Sequence, residues 1–122
     1  MSNTVNITVN QGTSLPYTFT LTYLDNSVYN LTGYDARLQV RRTYGDTTWL
    51  INCTVANGKL VINAAAGTIT WHIIPSDTMS IRFNNKDDDT LDCVYDLEIT
   101  DPTGNIYKPA GGTLTINREV TR

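Results

Sequence analysis

The chain has 122 residues, 40% of them hydrophobic, and a net charge of −3. That length fits one domain whose core needs no metal or disulfide framework. With no block of Lys or Arg, an electrostatic grip on nucleic acid is excluded. With no apolar run near ~20 residues, so is a helical membrane span.

Thr4–Asn10 alternates Val5, Ile7 and Val9 with polar residues, the two-residue rhythm of a half-buried strand. Gln11–Ser14 reads as a turn, and Pro16 opens a second strand with Tyr17, Phe19, Leu21 and Tyr23 on one face. Leu24–Gly33 is a polar loop. Asp35–Arg42 turns Ala36, Leu38 and Val40 inward and Arg37, Gln39 and Arg41 outward. After the turn Tyr44-Gly45-Asp46, the inner face of the next strand is Trp49, Ile51, Cys53 and Val55. Asn57-Gly58 is a hairpin signal, because both residues tolerate positive φ.

Lys59–Ala64 points Leu60 and Ile62 inward, Gly67 breaks it, and Thr68–Ile74 carries Ile69, Trp71 and Ile73 on its inner face. Pro75–Thr78 is a single helical turn with Ser76 or Asp77 as its cap. Asn84–Thr90 is a solvated loop. Leu91–Thr100 has the clearest rhythm of all, with Leu91, Cys93, Tyr95, Leu97 and Ile99 on one face. Asp101-Pro102-Thr103-Gly104 fits a type I turn. Asn105–Lys108 begins the return strand, Pro109–Gly112 kinks or bulges it, and Leu114, Ile116 and Val120 continue it.

Short strands with turn signals roughly every ten residues, and no useful helical period, predict an all-β fold. The expected architecture is an immunoglobulin-like antiparallel β-sandwich of about 7–9 strands, formed by residues 1–122 as one domain. A small closed barrel is the competing arrangement. In such a sandwich the third strand lies beside the strand that precedes the final hairpin. Arg37 and Arg41 are then expected opposite Asp96 and Glu98, each exposed pair contributing about 0.2–1 kcal/mol.

Catalytic chemistry finds little footing. His72 is the only histidine, mid-strand, with no Gly-x-Ser-x-Gly elbow, HExxH or Walker loop in the chain, so it reads as an ordinary strand residue. Asn85, Asp87 and Asp89 have oxygen ligands at alternate positions, but the loop lacks the central Gly and distant Glu of an EF-hand and reads as a solvated tip. Cys53 and Cys93 read as buried thiols, with an inter-sheet disulfide as the sharper alternative. The Asn-x-Thr triplets at Asn6, Asn30 and Asn52 are expected by chance in a Thr- and Asn-rich chain. No catalytic residue, cofactor or metal is expected. The loop tyrosines Tyr29, Tyr34, Tyr44 and Tyr107 cap the open ends of the core, or else form a carbohydrate platform.

Three segments together resemble a known group: Leu31–Arg42, Ala66–Met79, and Tyr95–Tyr107 running on to Gly111–Ile116 and Val120–Arg122. Their order and spacing are similar to small immunoglobulin-like domains of tailed-bacteriophage virion proteins, including the N-terminal domain of phage baseplate upper proteins. The resemblance covers about residues 11–122. It implies a non-enzymatic virion structural protein, assembled in the host cytoplasm, since no signal peptide precedes the first strand. Its role would be a tail, baseplate or fibre-attachment adaptor or cement protein, with capsid decoration or carbohydrate or receptor binding as the alternative. The partners implied are other phage structural proteins and copies of the chain itself. Against the fused versions of such domains, a sequence ending at Arg122 is expected to carry no fibre or receptor-binding domain, which favours the adaptor, cement or decoration role.

Contact elements are expected at the edge strand Thr4–Asn10 (Thr4, Asn6, Thr8), the loop Leu24–Tyr34 (Tyr29, Tyr34), Tyr107, and the tail Asn117–Arg122 (Arg118, Arg122). Strand addition at Thr4–Asn10 is the expected docking mode. Deleting residues 1–10 is expected to abolish incorporation into particles and leave the domain folded.

Overall fold

A computed structural model describes residues 3–23 and 25–119. Val120 and Arg122, and with them the end of the expected contact tail, lie outside the described residues. The strands are β1 (Asn3–Thr4), β2 (Ile7–Asn10), β3 (Leu15–Thr20), β4 (Asp35–Arg41), β5 (Ile51–Thr54), β6 (Leu60–Asn63), β7 (Thr68–Ile73), β8 (Thr90–Thr100) and β9 (Ile106–Asn117). One short helix, α1 (Pro75–Met79), joins β7 to β8.

Two sheets form. The larger has the order β1-β9-β8-β4-β5, with β2 also on β9, and the smaller has the order β3-β7-β6. Alternating side chains fill the space between them. Leu38, Cys53, Ile69, Trp71, Leu97, Leu114 and Ile116 are fully buried. At the centre, Tyr95 lies 5.4 Å from Trp71 and 6.4 Å from Phe19 between ring centroids, in tilted packing that suits aromatic quadrupoles. Two sheets with β4, β8 and β9 neighbouring in one and β3, β7 and β6 in the other make an immunoglobulin-like sandwich, and the barrel is set aside. One departure concerns direction. The pattern implied antiparallel pairing throughout, yet β1 and β2 run parallel to β9.

The third long strand, β4, does lie beside β8. Arg37 stands opposite Glu98, and its Nη2 is 2.9 Å from Glu98 Oε1. Among the described residues Arg41 does not meet an acid. The same register puts it opposite Val94 and gives Asp96 to Gln39. Arg41 instead donates to the Asp46 carbonyl and, at 2.8 Å, to Gln39 Oε1. Asp96 takes Lys108 from β9 at 3.4 Å.

Three inner-face assignments fail where a strand stops sooner than its rhythm. β5 begins at Ile51, so Trp49 is 51% exposed, Val55 is 37% exposed, and Leu50 packs on the core instead. Tyr23 is likewise 51% exposed, because β3 ends at Thr20. The turn at Asn57-Gly58 exists but closes no hairpin. β5 and β6 belong to different sheets, and Asn57 replaces the missing ladder. Its Oδ1 accepts from the Thr54 and Lys59 amides at 3.0 and 3.1 Å, and its Nδ2 donates to the Asn52 carbonyl at 3.0 Å.

The bulge expected near Pro109 is present. The β8–β9 register shifts between Leu97, which faces Ala110, and Ile99, which faces Tyr107. In α1, Pro75 occupies the first turn and Asp77 closes it from within, accepting the Ile74 amide at 3.0 Å; Ser76 has no capping role. The cysteines are free and buried. They sit on β5 and β8, either side of β4, and two strand spacings amount to roughly 9–10 Å, beyond the ~7 Å that a disulfide allows.

Candidate interaction surfaces

Two surfaces collect the residues that the sequence singled out. The first is the edge formed by β1 and β2. Val5 N donates to Gly111 O and Gln11 N to Asn117 O, both at 2.8 Å. A strand alternates its amides every residue, so the odd positions face β9 and the amide of Thr8 faces the open side. Among the described residues no strand pairs there. The same alternation buries Ile7 and Val9 and exposes Thr4, Thr8 and Asn10. Asn6 is exposed, but its Oδ1 is spent internally on the Thr113 amide at 3.1 Å.

The edge strand can lie this close because of Gly112. A Cβ built at that position would overlap the Val5 carbonyl and sit 2.9 Å from Asn6 Oδ1. Tyr95, whose register partner is Gly112, donates its hydroxyl to Val5 O at 2.6 Å. Burial pushes the Tyr95 hydroxyl well above the usual phenol range, and nearby Tyr17 adds to it. It therefore stays a neutral donor.

The second surface is the loop end where β3 leads into β4 and β8 turns into β9. Tyr23 and Tyr29 stack with ring centroids 4.1 Å apart and 14° between planes. The turn that lifts Tyr23 closes through Asn26, at φ +70°, whose amide donates to Tyr23 O at 2.9 Å. Gly67, at φ +67°, lets the β6–β7 turn press against this loop, because a Cβ there would lie 2.7 Å from Tyr29 O. Tyr34 is half-buried between the loops. Its hydroxyl is pushed up first by burial, then by neighbouring Asp101, Tyr23, Tyr107 and Tyr29. Tyr107 is half-exposed beside them. Asp101 ties the β8–β9 turn. Partial burial works against its ionised form, but the amides and side chains of Asn105 and Thr103 hold its carboxyl down at about 2.

Tyr29, Tyr34 and Tyr107 thus come together, while Tyr44 is exposed in the separate β4–β5 connection. Tyr23, assigned by periodicity to the core, joins the cluster instead. The signal that could have shown this is its neighbour sequence Asp25-Asn26-Ser27, a turn composition too close for the strand to continue.

Arg118 belongs to neither surface. Its guanidinium donates to the carbonyls of Asp88 at 2.6 Å and Asn85 at 2.9 Å and lies 4.3 Å from the centre of the Phe83 ring. It holds the acidic loop in place through its backbone. Among the described residues no group of three His, Cys, Asp or Glu is placed to hold a metal ion. His72 lies opposite Pro16 and is half-buried.

No family model matches the sequence, and no curated protein matches it. Among solved structures, murine CRIg is similar over 93% of this chain and 92% of its own, at 13% identity and a TM-score of 0.43. Domains 3–5 of the extracellular part of Drosophila OTK are similar over 91% of this chain and 32% of theirs, at 17% identity and a TM-score of 0.36. The fold assignment stands on the strand order, and nothing is carried over from either protein.

Proposed function

We propose that the chain is a non-enzymatic interaction module that docks on other proteins through its β1–β2 edge, as a structural component of a tailed-phage particle. The observation behind the docking mode is the open side of Ile7–Asn10, a strand held on one flank only. An extended segment of a partner would add to it by main-chain hydrogen bonds, with Thr4 and Thr8 reading the partner's side chains. The virion placement, as a tail, baseplate or fibre-attachment adaptor or cement protein, rests on the three sequence segments that resemble phage domains.

Deleting residues 1–10 is a poor test, since it would remove Ile7 and Val9 from the core. Thr8→Pro is the sharper one. It removes a donor on the open side and leaves the β9 ladder and the buried face intact. Particles assembled with the variant should lack the protein while its thermal midpoint stays within a few degrees. Normal incorporation of a folded Thr8→Pro chain would rule out this edge.

A further inference from the structure

The tyrosine end of the molecule carries no Lys, Arg or His from Leu21 to Asp35 or from Thr100 to Tyr107. It carries three carboxylates, Asp25, Asp35 and Asp101. The nearest cations along the chain, Arg37 and Lys108, are engaged by Glu98 at 2.9 Å and Asp96 at 3.4 Å. Four of the large hydrophobic residues exposed on this protein gather here: Tyr23, Val28, Ile106 and Tyr107, at 49–60% exposure. The end is at once aromatic, aliphatic and negative.

Its polar groups are mostly spent within the loops. Asp101 Oδ1 accepts from Thr103 N, Thr103 Oγ1 and Asn105 N at 2.8–3.0 Å. Asn30 Oδ1 accepts from Thr32 N and Oγ1 at 3.1 and 2.6 Å, and Asp25 Oδ1 from Ser27 N and Oγ at 2.9 and 2.6 Å. A saccharide needs free, fixed polar partners to read its hydroxyls. What this end offers is ring faces, aliphatic surface and carboxylates that form no ion pair among the described residues. A planar cation on a protein satisfies all three, because guanidinium stacks on tyrosine and is weakly hydrated.

We propose that the Tyr23–Tyr29–Tyr34–Tyr107 end is a second docking surface, and that its occupant is an arginine-bearing loop or tail of a partner protein. Rigid tyrosines set among Ser and Asn residues suit this use, supplying contact area at low cost in side-chain entropy. The surface is separate from the β1–β2 edge, so either proposal can fail without the other.

The test pans short random peptides against the whole chain, with a Tyr23→Ala/Tyr107→Ala double variant as counter-target. Both rings are half-exposed, so that variant is expected to fold. A Tyr23→Phe/Tyr107→Phe variant keeps the ring faces and serves as the control. The expected result is enrichment of peptides containing arginine, with binding weakened at least about tenfold in the alanine variant, as for an interface aromatic. Binding should be retained in the phenylalanine and Thr8→Pro variants and weakened by salt. Enrichment of neutral or acidic peptides, no enrichment at all, or equal binding to the alanine variant overturns the proposal. So does glycan-array binding that the alanine variant loses, which assigns the end to saccharide instead.

Discussion

The hydroxyl of Tyr95 reaches 2.6 Å to the carbonyl oxygen of Val5, ninety positions earlier in the chain. The bond crosses β9 at the one place where a glycine, Gly112, leaves room for it. It secures the edge strand just where β1 and β2 are separated. Tyr95→Phe keeps the ring among Trp71 and Phe19 but leaves the carbonyl without its partner, and should cost about 1–2 kcal/mol in urea unfolding. Gly112→Ala should cost more, about 1–3 kcal/mol, since the methyl group collides with backbone that cannot yield without moving the strand. If the edge is the docking element, both variants should weaken incorporation, Gly112→Ala the more.

Lys59 and Asp77 form an ion pair that joins the start of β6 to α1. Asp77 is buried and Lys59 keeps about a quarter of its side chain in solvent. Asp77 also accepts the Ile74 amide, so its loss breaks two links at once. Asp77→Ala is expected to destabilise by on the order of 2–3 kcal/mol, and Lys59→Met, which keeps the apolar stem but leaves the buried Asp77 carboxylate without its cation, by at least as much. A clearly smaller loss in Lys59→Met would show that the helix closure, rather than the charge pair, dominates.

Alkaline pH should weaken the fold through its buried thiols. Burial lifts the Cys53 thiol from 9.0 to about 12, with Asp77 adding to it, and lifts Cys93 to about 11. The folded state therefore holds these protons more tightly than the unfolded chain does. Their contribution is intact below the unfolded value of 9.0 and is lost as pH rises through the folded values. The urea midpoint should fall from about pH 9 upward, through the folded values of about 11 and about 12, and the fall should be shallower in a Cys53→Ala/Cys93→Ala variant, leaving the part due to Tyr95. An unchanged slope would mean that the thiols are not shielded as described.

The rhythm of the chain discloses its buried faces wherever a strand is long. β7 and β8 follow their alternation without a break, and Trp71 and Tyr95 are buried as the pattern implies. Strand ends were less legible, because alternation continues in sequence after the hydrogen-bond ladder has stopped. That is why the alternation alone places Tyr23 and Trp49 inward. The parallel direction of β2 carries no local signal at all, since it depends on which partner β9 offers. The tyrosine cluster was legible as residues but not as a place. Its members come from the β3–β4 connection and from the start of β9, more than seventy positions apart, and only the pairing of β4 with β8 and β8 with β9 brings them to one end.

Arg118 was a candidate for partner contact, and the geometry gives it internal work that can be measured. It is half-buried, and its amide also donates to Asp89 O at 2.7 Å. Its Nε and Nη2 reach carbonyls three residues apart, Asp88 and Asn85, while the planar group covers Phe83. A forked, flat cation does this and an ammonium cannot. Arg118→Ala should cost about 1–2 kcal/mol through the lost charge-assisted bonds and the cation–π contact. Arg118→Lys should recover little of that loss. The loop Asn84–Thr90 should become the first site of limited proteolysis in both variants. Cleavage at an unchanged rate would show that the loop is held by its own Asn85–Asp88 bonds and would return Arg118 to the surface as a free contact residue.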